Sequence, residues 1–123
     1  MHEEPVQSTR VTGALGELLA AEFLRSKGYV ILERNFRSPE GEIDLVAEDD
    51  ETLVFIEVRT RVHDLFGHPM ESIGPVKRHK IRRTIAYYLH QRPVRHALLR
   101  IDVVSVLLKE GEEPLFELLP NAF

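Results

Sequence analysis

Apolar residues recur along the chain at two spacings, one typical of helices and the other typical of strands. Over residues 12–26 they return at helical spacing, which predicts an amphipathic helix that ends near Gly28. The predicted buried stripe of this helix consists of Ala14, Leu15, Leu18, Leu19, Ala21, Phe23 and Leu24. A second helix is predicted over residues 76–90, with Pro75 in its first turn. Its inner side would consist of Val76, Ile81, Ile85, Tyr88 and Leu89.

Shorter segments rich in β-branched and aromatic residues predict four strands, with a fifth after Gly111. Their ranges are 29–33, 42–48, 53–61, 98–108 and 115–119. Turns are predicted at residues 35–41 and 49–52, so the second and third strands form a hairpin. The third strand is apolar on both faces up to Glu57, which indicates a central position covered on both sides. The order αβββαβ(β) predicts an α/β fold, with a mixed sheet flanked by helices.

The length of 123 residues is that of one domain. We expect a flexible N-terminal arm over residues 1–10 and a single domain over residues 11–123. The absence of cysteine excludes disulfides, thiolate zinc sites and cysteine nucleophiles. No segment approaches the roughly 18 uninterrupted apolar residues of a membrane span, and the acidic, polar start is unlike a secretory signal. These features predict a cytoplasmic protein without a membrane partner.

The net charge of −4 hides an uneven distribution of charged residues. Residues 72–101 contain no Asp or Glu and carry eight of the sixteen Lys and Arg residues, so this segment is +8 and the remainder −12. Such a surface favours a polyanionic partner such as nucleic acid, and the alternative explanation is a solvated helix face. Predicted phosphate contacts cluster near the start of the second helix, where backbone amides also attract anions. They are Lys77, Arg78, Lys80, Arg82 and Arg83.

Three acidic residues lie among apolar neighbours: Glu17 in the first helix, Asp44 in the second strand and Glu57 in the third. An unpaired buried carboxylate is costly, so each needs a cation, hydrogen-bond donors or a metal ion. Because a tight turn joins their strands, Asp44 and Glu57 can converge on one face of the sheet. The two-residue period of a strand places Arg59 and Arg61 on the face of Glu57. Carboxylates beside a basic residue are typical of a Mg²⁺ site that binds phosphate.

Other interpretations of these residues remain open at this point. The acids can instead form a structural ion-pair network with Arg59, Arg61 or Arg100. Glu42 shares the predicted face of Asp44 and is either a supporting acid or an ordinary glutamate at a strand end. Two histidines in the loop after the third strand are further candidates for substrate contact: His63 and His68. His79, His90 and His96 lack the spacing of a helical zinc motif, so no zinc is predicted.

Several motifs together resemble the YraN-like family of bacterial proteins. They are Gly13-Ala14-Leu15-Gly16-Glu17, Gly28-Tyr29, Arg34-Asn35-Phe36-Arg37, Gly41-Glu42-Ile43-Asp44-Leu45 and Val54-Phe55-Ile56-Glu57-Val58-Arg59-Thr60-Arg61. Lys77, the helix over residues 81–89 and Arg100-Ile101-Asp102-Val103-Val104 also match. This family is in turn similar to the PD-(D/E)xK nuclease superfamily, in particular to archaeal Holliday-junction resolvases.

The resemblance implies a restriction-endonuclease-like core and metal-dependent phosphodiester hydrolysis. Asp44 resembles the Asp of the motif and Glu57 its second acid, while Arg59 stands at the Lys position. Glu17 resembles the helix glutamate that assists metal binding in the resolvase branch. Two positions depart from the motif, because Ile43 stands where Pro is usual and Arg59 replaces Lys. Arginine stays charged, so Arg59 can bind phosphate or orient a water but cannot serve as a general base.

The sequence therefore predicts a Mg²⁺- or Mn²⁺-dependent endonuclease that acts on DNA, including branched or structured DNA. The predicted catalytic residues are Asp44, Glu57 and Arg59, with Glu17, Asp44 and Glu57 as metal ligands and Arg61 among the nucleic-acid contacts. The first alternative is a nucleic-acid-binding module of the same fold that has lost catalysis. The second is a protein-interaction domain in which the acids form ion pairs. A homodimer would suit a symmetric four-way junction, with the edge of the last strand as a candidate interface.

Overall fold

The computed structural model of the protein describes residues 5–62, 73–93, 96 and 98–123. Along these ranges the elements are α1 (Pro5–Ser26), β1 (Val30–Ser38), β2 (Gly41–Asp49), β3 (Thr52–Arg61), α2 (Pro75–Gln91), β4 (Leu98–Leu107) and β5 (Leu115–Leu119). The predicted α/β class and element order are confirmed, including the fifth strand.

The strands form one mixed sheet in the order β1-β2-β3-β4-β5. Neighbouring strands are antiparallel except β3 and β4, which are parallel and are joined through α2 as a parallel pair requires. The predicted hairpin of β2 and β3 is confirmed, with Asp49 opposite Thr52 at its turn. The central position of β3 is also confirmed. This strand lies between β2 and β4, and α1 and α2 pack on opposite faces of the sheet.

The α1 side of the sheet is packed through small residues of the helix. Buried helix residues are Ala20, Ala21 and Leu24, which contact the α1-facing residues of the sheet. The prediction that Leu15 and Leu18 are buried is wrong, since they are 44% and 49% exposed. The reason lies at Gly16, where a Cβ atom would come within 2.0 Å of Thr60 Oγ1. This close approach turns the side of α1 that carries Gly16, Ala20, Ala21 and Leu24, rather than Leu15 and Leu18, toward the sheet.

The α2 side contains an aromatic cluster. Tyr88 packs edge-on against Phe36 and Phe55, with ring centroids 5.0 and 5.4 Å apart. Tyr88 is therefore a core residue, which confirms its predicted position on the inner side of the helix. Buried α2 residues begin only at Ile81, so the first turn lies beyond the core. The prediction that Val76 is on the inner side is wrong for this reason, since it is 77% exposed.

Two predicted boundaries differ from the structure. Helix α1 begins at Pro5, before the predicted start at residue 12, and residues 1–4 lie outside the described part of the chain. Strand β1 continues through Asn35 to Ser38, where a turn was predicted. Asn35 has a positive φ of 57°, a conformation that asparagine tolerates, and the strand continues after it. The turn-forming residue of the sequence is thus accommodated inside a strand.

Candidate active site

The hairpin of β2 and β3 opens at the end where the predicted acids lie. Regular pairing ends at Leu45 and Ile56, and its register would continue with Asp44 opposite Glu57. Instead, the backbone amide of Val58 donates a hydrogen bond to Asp44 Oδ2 at 2.8 Å. The Asp44 carboxylate therefore occupies the position of a main-chain acceptor, next to Glu57 on the neighbouring strand.

Glu17 joins this end of the sheet from α1. It follows Gly16, whose contact with Thr60 holds the helix against the last part of β3. When protonated, the Glu17 carboxyl donates a hydrogen bond to Asp44, and the amide of Asn35 donates one to Glu17. Burial, and then the charge of Asp44, raise the pKa of Glu17 to about 7, against the smaller lowering effect of Asn35. Glu17 and Asp44 thus act as a pair that can share one proton.

Glu57 is the most enclosed of the three acids. Its side chain is 9% exposed, and the Lys77 Nζ atom from the first turn of α2 lies 3.3 Å from its Oε1 atom. Burial, followed by the charge of Asp44, raises the pKa of Glu57 to about 7, while Lys77 and Arg59 lower it. Burial also raises the pKa of Asp44, opposed by its hydrogen bond from Val58. All three carboxyl groups therefore resist ionisation in the absence of further positive charge.

The structure also decides between the alternative cations. Arg100 is directed away from these acids, with its Nε atom 2.9 Å from Asp102 Oδ1 and its Nη2 atom 3.0 Å from Asp49 Oδ2. The alternative in which Arg100 neutralises the site acids is therefore wrong. Arg59 follows Glu57 by two residues on the same face of β3. The charge of Arg59 lowers the pKa of Glu57 less than the charge of Lys77 does. Arg61 lies two residues further along β3 and is half-buried.

Glu42 is a neighbour of the site and not one of its central groups. It is exposed, and Arg37 Nε lies 3.6 Å from its Oε2 atom. Its charge adds to the repulsion that raises the pKa values of Glu17 and Asp44. His63 and His68, the predicted loop candidates, lie outside the described residues.

The carboxylates suit a Mg²⁺ site that is completed by water and phosphate better than a site formed by protein side chains alone. Within the described ranges, no group of three or more His, Asp or Glu side chains is arranged so that it could hold a metal ion by itself. Mg²⁺ usually takes one or two carboxylates and keeps waters and substrate phosphate as its other ligands. Asp44 and Glu57 fit that pattern as a buried pair, in which the charge of Asp44 adds to the effect of burial on the pKa of Glu57. Direct ligation by Glu17 stays a prediction, because its carboxyl is engaged with Asp44.

The basic residues of α2 lie in different surroundings. Arg78 and Arg82 both lie over the ring of Phe123, at 5.4 and 5.8 Å from its centroid. Arg83 is held by Glu40, with its Nε atom 2.8 Å from Glu40 Oε1. Four members of the predicted phosphate-binding set are exposed: Lys77, Lys80, Arg82 and Arg83. Two flanks of the helix, rather than one continuous face, therefore carry the predicted set.

Sequence reasoning missed two features of the site. The sequence indicated Asn35 only as part of a motif. Its hydrogen bond to Glu17 comes from a residue that has a left-handed backbone conformation inside β1. Lys77 was predicted to contact phosphate, and its ion pair with Glu57 was not foreseen. An asparagine inside a strand that also carries Arg34 and Arg37 gives no sequence signal of this kind. For the Lys77–Glu57 pair, a signal was present in the sequence. Lys77 lies in the first turn of the helix that connects the parallel strands β3 and β4, and Glu57 lies on β3.

These features define a class of α/β protein in which two helices cover a five-stranded mixed sheet and an acidic cluster closes one end of it. A family model described as "Uncharacterised protein family UPF0102" matches residues 16–106, a range that contains Glu17, Asp44, Glu57 and Lys77. The chain belongs to this UPF0102 family, which confirms the YraN-like resemblance. None of the helices in the described ranges is long and apolar enough to cross a membrane.

Related proteins match most of the chain. A UPF0102 protein of Moorella thermoacetica is 50% identical over 103 residues, which cover 84% of this chain and 86% of the relative. One from Syntrophomonas wolfei is 43% identical over 114 residues, covering 93% of this chain and 98% of the relative. One from Dehalococcoides mccartyi is 47% identical over 111 residues, which cover 90% of this chain and 91% of the relative. The similarity thus extends over nearly the full length of these relatives.

Proposed function

We propose that this protein is a Mg²⁺- or Mn²⁺-dependent endonuclease that hydrolyses phosphodiester bonds in DNA, including branched or structured DNA. The observation that carries the proposal is the meeting of Glu17, Asp44 and Glu57 at one end of the sheet, with the pKa of each raised. Carboxyl groups that repel one another bind a divalent cation favourably, because the cation removes the repulsion. Perturbed pKa values of this kind cluster at functional sites.

Each residue of the site has a role that suits its chemistry. Asp44 and Glu57 would hold the cation, and Glu17 would support it through its hydrogen bond to Asp44. A divalent ion held there would supply a more nucleophilic water and would stabilise negative charge on the phosphate. Because an arginine side chain keeps its charge, Arg59 would contact the scissile phosphate rather than act as a general base.

The surroundings of the acids support a nucleic acid as the substrate. Among the exposed basic residues of α2, Lys77 contacts Glu57, and Lys80 follows it by about one turn of the helix. A chain of phosphates that follows this helix would bring one phosphodiester to the carboxylates. The resemblance to PD-(D/E)xK nucleases and to Holliday-junction resolvases supports DNA, and branched DNA in particular.

A cleavage assay tests the proposal. Labelled single-stranded, duplex, flapped and four-way-junction DNA are incubated with protein in Mn²⁺, Mg²⁺ or EDTA. The wild type is compared with Asp44→Asn, which can keep the bond from the Val58 amide. The matched control is Asp50→Asn, in the turn of the same hairpin at a φ of 54° that asparagine tolerates. We expect metal-dependent cuts that Asp50→Asn retains and Asp44→Asn loses, and equal cleavage by both variants contradicts the assignment.

A second candidate is a nucleic-acid-binding module without catalysis. It is favoured by one observation, Arg59 at the position where the motif has a lysine. This candidate predicts salt-sensitive DNA binding in EDTA, retained by Asp44→Asn, together with no cleavage on any substrate. Gel shifts on the same four DNA substrates distinguish it from the nuclease.

A homodimer is also part of the proposal for a branched substrate. Strand β5 lies at the edge of the sheet, and Leu115 and Leu119 on it are exposed. An open edge with apolar side chains is a surface on which a second copy can pair. Sedimentation velocity on the full chain measures the oligomeric state, and a monomer at all concentrations contradicts this part.

A further inference from the structure

The first turn of α2 delivers an ammonium group to the carboxylate site. Lys77 is 61% exposed along its side chain, yet its Nζ atom lies 3.3 Å from the nearly buried Glu57 Oε1. The ammonium therefore approaches Glu57 from the solvent side and covers it. Asp44 also interacts with this charge, which partly opposes the rise in the Asp44 pKa that burial causes. One side chain thus supplies positive charge to both carboxylates proposed to hold metal.

A metal ion and this ammonium would occupy the same place. Mg²⁺ binds carboxylate oxygens at about 2.0–2.1 Å. With Lys77 in contact with Glu57 Oε1, a divalent ion on Glu57 would lie within a few ångströms of a like charge. The lysine can withdraw at little cost, because its stem is flexible and its side chain is mostly in solvent.

We propose that Lys77 is the internal counter-ion of the carboxylate site in the metal-free protein, and that a divalent cation displaces its ammonium group from Glu57. This inference rests on the proposed metal-dependent function. The displaced ammonium group stays at the mouth of the site, on the basic helix, where it can contact a phosphate. The same lysine thereby holds the acids in place before metal arrives and lowers the affinity of the site for metal.

Binding of Mn²⁺ alone to the full chain, measured by titration calorimetry without DNA, tests the exchange. Lys77→Met removes the ammonium and keeps the length of the side chain, and Lys77→Gln is a second variant should the first fold poorly. Lys80→Met is the matched control, because it removes the same charge from an exposed position of the same helix. Lys77→Arg keeps the charge, and Asp44→Asn removes a proposed ligand.

We expect Lys77→Met and Lys77→Gln to bind Mn²⁺ roughly three- to tenfold more tightly than the wild type, since a nearby cation is removed. Lys80→Met should stay within about twofold, because its charge is not in contact with the acids. Lys77→Arg should bind as the wild type does. In EDTA, Lys77→Met should melt at a lower temperature than Lys80→Met, and saturating Mn²⁺ should close that gap.

The outcomes separate the exchange from the proposed function. Unchanged or weaker Mn²⁺ binding by Lys77→Met and Lys77→Gln, with binding lost in Asp44→Asn, overturns the exchange and leaves the metal site standing. An equal gain of affinity in Lys80→Met also overturns it, because the effect would then belong to the whole helix. A wild type that binds no Mn²⁺ overturns the exchange and the metal-dependent function together.

Discussion

The backbone amide of Val58 donates a hydrogen bond to the Asp44 carboxylate at 2.8 Å, at the point where the pairing of β2 with β3 has ended. Two adjacent strands that separate leave a main-chain donor without a main-chain acceptor, and the aspartate supplies one. The same bond fixes Asp44 beside Glu57. The position of a carboxylate in the candidate site is therefore a consequence of how the hairpin opens.

Stability of the metal-free protein should fall as the pH rises between about 4.5 and about 7. Glu17 and Glu57 have pKa values raised from 4.5 to about 7, each by burial first and then by Asp44. The folded protein therefore binds more protons than the unfolded chain in this window, and ionisation lowers the free energy of unfolding. Urea unfolding in EDTA at a series of pH values measures the slope.

Asp44→Asn should flatten this slope, because it removes a charge that raises both pKa values. Relative to wild type, the variant should gain about 1 kcal/mol between pH 5 and pH 8, after allowance for solvent screening. Asp50→Asn, at the exposed turn, should follow the wild type. Parallel curves for all three proteins would contradict the coupling of these acids.

Gly16→Ala should destabilise the protein by about 1–3 kcal/mol, since its Cβ would meet Thr60 Oγ1 at 2.0 Å and α1 would have to move. Gly13→Ala in the same helix is the control, because a Cβ there has no neighbour within 4 Å. That change should stabilise the helix by up to about 1 kcal/mol. Thermal and urea unfolding compare the two variants. Equal effects on the free energy of unfolding would show that the close contact of Gly16 with Thr60 does not contribute to stability.

Arg59→Met should reduce DNA cleavage about 100-fold, whereas Arg59→Lys should retain most of the activity, because either cation can contact a phosphate. The measurement is kcat and KM on the preferred DNA substrate, with circular dichroism to check the fold. Arg61→Met, two residues further on β3, is the comparison and should act on KM more than on kcat. A fully active Arg59→Met would remove Arg59 from the site.

Lys80→Met should weaken DNA binding more than Arg83→Met. Arg83 is already neutralised by Glu40, with 2.8 Å between Arg83 Nε and Glu40 Oε1, whereas Lys80 forms no ion pair with any of the described residues. Lys80→Met should reduce the salt dependence of binding by about one phosphate contact. Fluorescence anisotropy against salt concentration in EDTA gives both slopes. Glu40→Gln should restore the contribution of Arg83, and its failure to do so would contradict the assignment.

Much of the candidate site follows from local sequence. Asp44 and Glu57 are brought together by a tight turn between two consecutive strands, and the period of a strand puts Arg59 on the face of Glu57. Such features need only neighbours in the chain, so the sequence predicts them. The element order and the central position of β3 follow in the same way, from the length and the apolar runs of each segment.

Packing between distant segments is a different matter, and only the tertiary structure decided it. The face of α1 that meets the sheet depends on the fit of Gly16 against Thr60, and hydrophobicity alone favours Leu15 and Leu18. The pairing of Lys77 with Glu57 depends on the position of the first turn of α2 relative to β3, which is set by the packing of the helix on the sheet. The sequence by itself determined which residues are acidic, apolar or basic along each element. Steric fit and the close approach of charges between elements determined which of them meet, because both depend on distances that a one-dimensional pattern does not contain.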